Sequence, residues 1–249
     1  MSGDLYQFFS DPVPQRIYIA MPSSLSMNRT LTGGTEIRFI KDQLATALDL
    51  LKAVQVATSV NISMRIVAWS STIVAEQTWP AFRDDKYDEA KVLIRLVGAN
   101  GGTIFSNVFE DAKRYFATSV GRATNTLVFI TADVDEPPAS AGVTAAQPLV
   151  VGLTPYAGAN EVNVSAIVLG ARQPTVDAVQ NTGRSITVTD REIEAGLFAQ
   201  RVFSVIQAGL GSHNYTSSDV EVIHDGLTYE PSTIKRNTCL LYTSPSPRD

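Results

Sequence analysis

Ser23, Ser24 and Ser26 follow directly on the apolar run IYIAM (Ile17 to Met21), at the end of a strand where an α/β protein keeps its working groups. Hydroxyls so placed could serve as nucleophiles or help to hold a metal ion, and each chemistry needs further groups. A serine nucleophile needs a base. No acid, histidine or cysteine lies among the three serines, and Pro22 stands where a carboxylate is expected. The two histidines, His213 and His224, fall late in the chain at a spacing that suits neither zinc nor a catalytic pair. No GxSxG nucleophile elbow is present. GANGGT (Gly98 to Thr103) lacks the Lys-Ser/Thr of a P-loop and follows a helix-like stretch rather than a strand, which argues against a phosphate- or nucleotide-using enzyme. Hydroxyls alone are poor ligands for a hard cation such as Mg²⁺, which takes one or two carboxylates as well.

Composition narrows the classes further. The chain has 249 residues, 44% hydrophobic and 18% charged, enough for one large globular domain or two small ones. A formal net charge of −5 provides no basic field for nucleic acid. The N-terminus lacks a basic segment followed by an apolar core, and no run approaches the roughly 18 apolar residues of a membrane span. An intracellular or virion location is therefore expected, with no membrane partner. The last eleven residues, CLLYTSPSPRD (Cys239 to Asp249), match a translated transposase-type sequencing adapter and are expected to be an artefact, with the natural chain cut off near Thr238. Without Cys239, disulfides, thiol catalysis and cysteine zinc sites drop out together.

The elements that would position the serines alternate between strand and helix. RIYIAM and NISMRIVAWS predict strands, and STIVAEQTW a third, antiparallel to the second across a short turn. Ile37, Ile40, Leu44, Leu48 and Leu51 recur at helical spacing after Thr35, a plausible N-cap. DDKYDEAKVLIRLV predicts a charged helix, and Phe105, Phe109, Ala112 and Phe116 mark one side of another. NTLVFITAD is apolar enough for a central strand. NEVNVSAIVLG and RSITVTD predict two more strands, and REIEAGLFAQRVFSVIQ a final amphipathic helix. The segment 137–155 is weakly helical, and a short helix-like piece lies around 175–179. Strands joined by helices demand crossovers, hence an α/β fold: a mostly parallel central sheet with helices on both faces, Rossmann-like. Expected boundaries are an N-terminal extension (1–13), the main domain (14–208), a linker or the start of a truncated second unit containing VEVI (209–238), and the adapter-like tail (239–249).

Three loops should meet at the carboxyl edge of that sheet: PSSLSM, GGT and TADVDEP. With SITVTDREIEAGLFAQRVF (Ser185 to Phe203), their order and content resemble a von Willebrand factor A domain, the fold shared with integrin I domains, over roughly residues 14 to 208. That family writes its metal-ion-dependent adhesion site as DxSxS, a threonine in a GGT-type second loop, and an aspartate in a TDG-type third loop. On this chain the motifs fall on Pro22-Ser23-Ser24-Leu25-Ser26, on Gly101-Gly102-Thr103 and on Thr131-Ala132-Asp133. The resemblance implies Ser24, Ser26 and Thr103 as hydroxyl ligands of Mg²⁺ or Mn²⁺. Both carboxylates are out of register, at Pro22 and Ala132, so the site is degenerate. Asp133 comes one residue late and points to the opposite face unless a bulge returns it. Asp135 and Glu136 also lie near in sequence.

The expected function is a non-catalytic protein–protein interaction module that binds through the carboxyl-edge loops, metal-independent or weakly metal-assisted through Ser24, Ser26, Thr103 and Asp133. The alternative is a structural component of a larger assembly such as a virus particle. The partner is a protein, not nucleic acid and not a membrane.

Overall fold

The computed structural model describes residues 14–118, 123–132, 162–170, 185–210, 222–224 and 227–229. Its centre is made by the three most apolar runs of the sequence. Strand β1 (Gln15–Pro22) has seven of its eight residues buried, and two short strands, β2 (Thr30–Leu31) and β3 (Gly34–Thr35), follow it as an antiparallel ribbon. The next strands are β4 (Ile62–Trp69), β5 (Ile73–Trp79), β6 (Thr124–Thr131), β7 (Val162–Leu169) and β8 (Ser185–Val188). The main sheet has the order β5-β4-β1-β6-β7-β8. All neighbours are parallel except β4 and β5, which pair antiparallel across the short turn at Ser70 to Thr72. Every residue of β6 is buried, as the apolar run predicts for a strand covered on both faces.

The helices are α1 (Glu36–Thr58), α2 (Lys86–Leu96), α3 (Phe105–Ala117), α4 (Asp190–Glu194) and α5 (Leu197–Leu210). One sheet face gathers Tyr18, Ala20, Trp69 and Phe129 against the Phe105, Phe109 and Phe116 stripe of α3. Phe129 is the hub, with ring centroids 5.0 Å from Phe105, 4.8 Å from Phe109 and 5.2 Å from Trp69. The alternate residues of β1, Ile17, Ile19 and Met21, are equally buried on the other face. There α1 buries Ile40, Leu44, Leu48 and Leu51 and lies beside both α2 and α4. Gln43 ties this layer together: its Nε2 donates to the Ile193 carbonyl at 2.6 Å, and its Oε1 accepts from the Ala199 N–H at 3.3 Å.

The expected single final helix is two. Gly196 has φ of +80°, a left-handed value that interrupts the α-helix between α4 and α5. A capping box starts α4, in which Thr189 Oγ1 accepts from the Glu192 N–H and the Glu192 carboxylate accepts from the Thr189 N–H. The expected helical segments at 137–155 and 175–179 lie outside the described residues. The chain divides into two units, Met1–Gly209 and Leu210–Asp249. In the second, VEVI contributes to a ribbon of β9 (Val222–His224) antiparallel to β10 (Leu227–Tyr229). Among the described residues no helix is long and apolar enough to cross a membrane.

Candidate functional site

Register brings the serine loop to the β4–β5 turn. Pro22, the last residue of β1, pairs with Trp69, the last of β4. Both the N–H and the Oγ of Ser23 then donate to the Trp69 carbonyl, at 2.7 and 2.9 Å. Ser23 is fully buried and its hydroxyl is committed to the backbone. Beyond it the chain makes a single 3₁₀ turn, Leu25–Asn28, begun by Ser24 and closed as the Met27 N–H donates to the Ser24 carbonyl at 3.0 Å. The turn sets Ser24 Oγ and Ser26 Oγ 2.8 Å apart, within hydrogen-bonding distance of one another. It sinks Met27 into the core and leaves Leu25 60% exposed at the tip.

The glycine-rich loop is joined to this turn through its backbone. The Asn100 N–H donates to the Ser23 carbonyl at 2.6 Å, and the Leu25 N–H donates to the Gly101 carbonyl at 3.0 Å. Gly101 has φ of +77°, and a Cβ there would lie 2.7 Å from Ser70 Oγ, so the position requires glycine. Ile104 N–H donates to the Ser70 carbonyl at 3.2 Å, and Asn107 Nδ2 donates to the Ser71 carbonyl at 2.6 Å. These bonds start α3 at a fixed angle and bury Thr103 within the loop, at 5% exposure. Trp69, Phe105 and Phe129 form an aromatic floor below. The Trp69 indole N–H is buried there without a hydrogen-bond partner among the described residues, so ring contacts rather than polar bonds hold that floor.

A clamp fastens the other side of the turn. Arg29 donates to both oxygens of Asp190 at 2.5 Å and to both oxygens of Glu36, at 3.2 and 3.0 Å. Glu36 is completely buried. Hydrogen bonds to Asp190 and then Glu36 push the Arg29 guanidinium above its ordinary value, so it is a permanent cation. The clamp ties the serine turn to the first residue of α4 across 161 residues of sequence.

Of the four expected metal-site residues, the structure therefore brings Ser24 and Ser26 together and places Thr103 on the adjoining loop. Asp133 lies outside the described residues. Ala132, onto which the resemblance places the family's aspartate, is buried at 1% exposure. Among the described residues no three His, Cys, Asp or Glu side chains gather as metal ligands. Three neutral hydroxyls do not by themselves fit a hard dication, which has to recover its lost hydration from charged oxygen. Sequence reasoning missed the Arg29 clamp, whose one local signal is the Gly33-Gly34 pair that folds Arg29 back over Glu36. It also passed over Leu25, the one large apolar residue among the serines.

This sheet order, with a single antiparallel edge strand, is the von Willebrand factor A fold. Solved structures of that class match the chain. A von Willebrand factor type A protein from Catenulispora acidiphila superimposes with a TM-score of 0.59 at 16% identity, over 81% of this chain and 44% of its own. The conserved hypothetical protein BatB from Bacteroides thetaiotaomicron gives 0.53 at 14% identity, over 78% of this chain and 99% of its own. Proximal thread matrix protein 1 from the mussel byssus, solved with zinc in its MIDAS motif, gives 0.55 at 15% identity, over 79% and 48%. The chain thus spans less than half the length of the first and third of these. No protein-family model matches the sequence, and no curated protein does.

Proposed function

We propose that the chain is a non-catalytic interaction module that binds a protein partner through the carboxyl-edge loops. The observation that carries this reading is Leu25, 60% exposed on a turn whose backbone is hydrogen-bonded to the neighbouring loop and whose base is clamped by Arg29. An apolar side chain on a pre-ordered loop loses little conformational entropy when a partner covers it. Binding is metal-independent or weakly metal-assisted. Any Mg²⁺ or Mn²⁺ would rest on Ser24, Ser26 and Thr103, with Asp133 as the charged ligand. A photo-reactive amino acid in place of Leu25 tests the reading in an extract of the source. The expected result is one protein cross-linked equally in Mg²⁺ and in EDTA, and not cross-linked from Val56, which is 75% exposed on α1. Equal labelling from both positions, or complete loss in EDTA, would refute it.

A second reading, a structural part of a larger assembly such as a virus particle, is favoured by the exposed apolar side chains Val74, Val92 and Leu96 on and beside edge strand β5. Sedimentation of the chain as a plain monomer at high concentration would count against that role.

A further inference from the structure

The opposite, amino edge of the sheet holds a cleft of about 460 Å³ at the start of β1 and β4. It lies about 23 Å from the serine turn, the length of an eight-residue strand, and takes no part in the function proposed above. Thirteen described residues line it, and none is a carboxylate, whereas Arg16 and Arg83 are both present. In a chain of net charge −5 this is a local reversal of sign. A volume of this size suits a small molecule rather than a single ion.

Arg16 is the centre of the argument. Its guanidinium lies over the Tyr115 ring, 4.6 Å from the centroid, and Nη1 donates to the Phe116 carbonyl at 3.0 Å. Nη2 donates to the Tyr115 carbonyl and, at 3.3 Å, to Thr118 Oγ1. These bonds cap the end of α3 and use three of the five N–H groups, which leaves Nε–H and one Nη1 proton. No described carboxylate forms an ion pair with Arg16. Removal from water lowers its pKa, as burial does for a cation. The carbonyls and the ring hold the guanidinium in place, so an incoming anion meets a pre-positioned charge and a single N–H donor rather than a bidentate fork.

The remaining lining complements an anion with an apolar body. Arg83 is 75% exposed and only 3.9 Å from an equally exposed Asp84, a weak pair that leaves it able to swing inward. Asn61 is exposed at the rim and able to donate a hydrogen bond, whereas the half-buried Ser63 beside Arg16 already shares a 3.0 Å hydrogen bond with the Tyr115 hydroxyl. Pro80 and Ala81 supply an apolar wall. We propose that this amino-edge cleft is a second binding site, specific for a small organic oxyanion, a carboxylate or phosphate on an apolar body, held by Arg16 and steered by Arg83.

Calorimetric titration of benzoate and of phenyl phosphate into the full chain tests it, with benzamide as the neutral analogue. For probes of this size the expected Kd is about 1 mM, weakening with added salt. Benzamide is expected to bind at least about tenfold more weakly. Asn61→Asp and Arg83→Glu, both at exposed positions, each place a negative charge at the rim and are expected to weaken the oxyanions about tenfold, with the melting temperature unchanged. Arg16→Gln should abolish binding, and Leu25→Asp should leave it intact, which separates this site from the carboxyl-edge loops. No saturation by about 20 mM, equal binding of benzamide, or oxyanion binding indifferent to both rim substitutions would overturn the proposal.

Discussion

Gly101→Ala tests whether the two loops are packed as tightly as their hydrogen bonds imply. At φ of +77° an alanine pays the left-handed penalty, about 1–2 kcal/mol. The new Cβ would also sit 2.7 Å from Ser70 Oγ, 3.1 Å from Ser71 Oγ and 3.2 Å from Ser70 Cβ. The hydroxyls can rotate, but Ser70 is 2% exposed and its Cβ is fixed by the β4–β5 turn, so a further cost of about 1–2 kcal/mol is expected. Against this, losing a glycine from the unfolded chain returns about 0.4–1 kcal/mol. The net destabilisation is about 1–3.5 kcal/mol, or a fall in melting temperature of roughly 2–14 °C for a chain of this size. Gly98 is the control in the same loop: its φ is not positive and nothing lies within 4 Å of a Cβ built there. Gly98→Ala should therefore be neutral or slightly stabilising. Urea unfolding of both variants, with the slope checked for constancy, measures the difference. A loss below about 0.5 kcal/mol for Gly101→Ala, or equal effects at the two glycines, would refute the packing argument.

Two further outcomes follow from the charged contacts. Arg29→Met removes the partner of the fully buried Glu36 and should cost about 3 kcal/mol in urea unfolding, whereas Asp190→Asn, at a side chain 42% exposed, should cost less than about 1 kcal/mol. Equal losses would mean that the clamp does not depend on burial. Hydrogen bonds from Arg201 and then from Thr189 hold Glu192 down at about 2 from an ordinary 4.5. A depressed carboxylate stabilises the fold fully above its unfolded value and loses that contribution as pH falls through the folded one, so the window runs from about 4.5 down to about 2. Thermal unfolding of Glu192→Gln should accordingly lie below the parent at neutral pH and converge with it across this window; a constant gap would contradict the assignment.

The parts of the molecule legible in the sequence are those written in long apolar runs. β1, β4, β6 and β7 announce themselves by an apolar centre, such as LVFI in β6, despite the buried polar residues Asn125 and Asn163 at their ends, and α3 because its phenylalanines repeat at helical spacing. The antiparallel β5 was legible from the short turn before it. The break between α4 and α5 was not, because the apolar periodicity continues across Gly196 and a lone glycine is tolerated in many helices. The 3₁₀ turn at Leu25 and the β2–β3 ribbon are too short to leave a period at all. In the candidate site, the hydroxyl residues were legible as motifs, but the Ser24–Ser26 contact depends on the turn's geometry. The Arg29–Asp190 pair joins residues 161 positions apart, a separation at which no local pattern operates.

The central claim is that the carboxyl-edge site works with little or no help from a metal. Calorimetric titration of Mg²⁺ and Mn²⁺ into the full chain addresses it most directly, with Thr103→Ala and Asp133→Asn as controls. Uncharged hydroxyls with at most one carboxylate predict no binding, or binding no tighter than about 1 mM. Saturable micromolar binding that disappears in both variants would contradict the account and make the site a working metal centre.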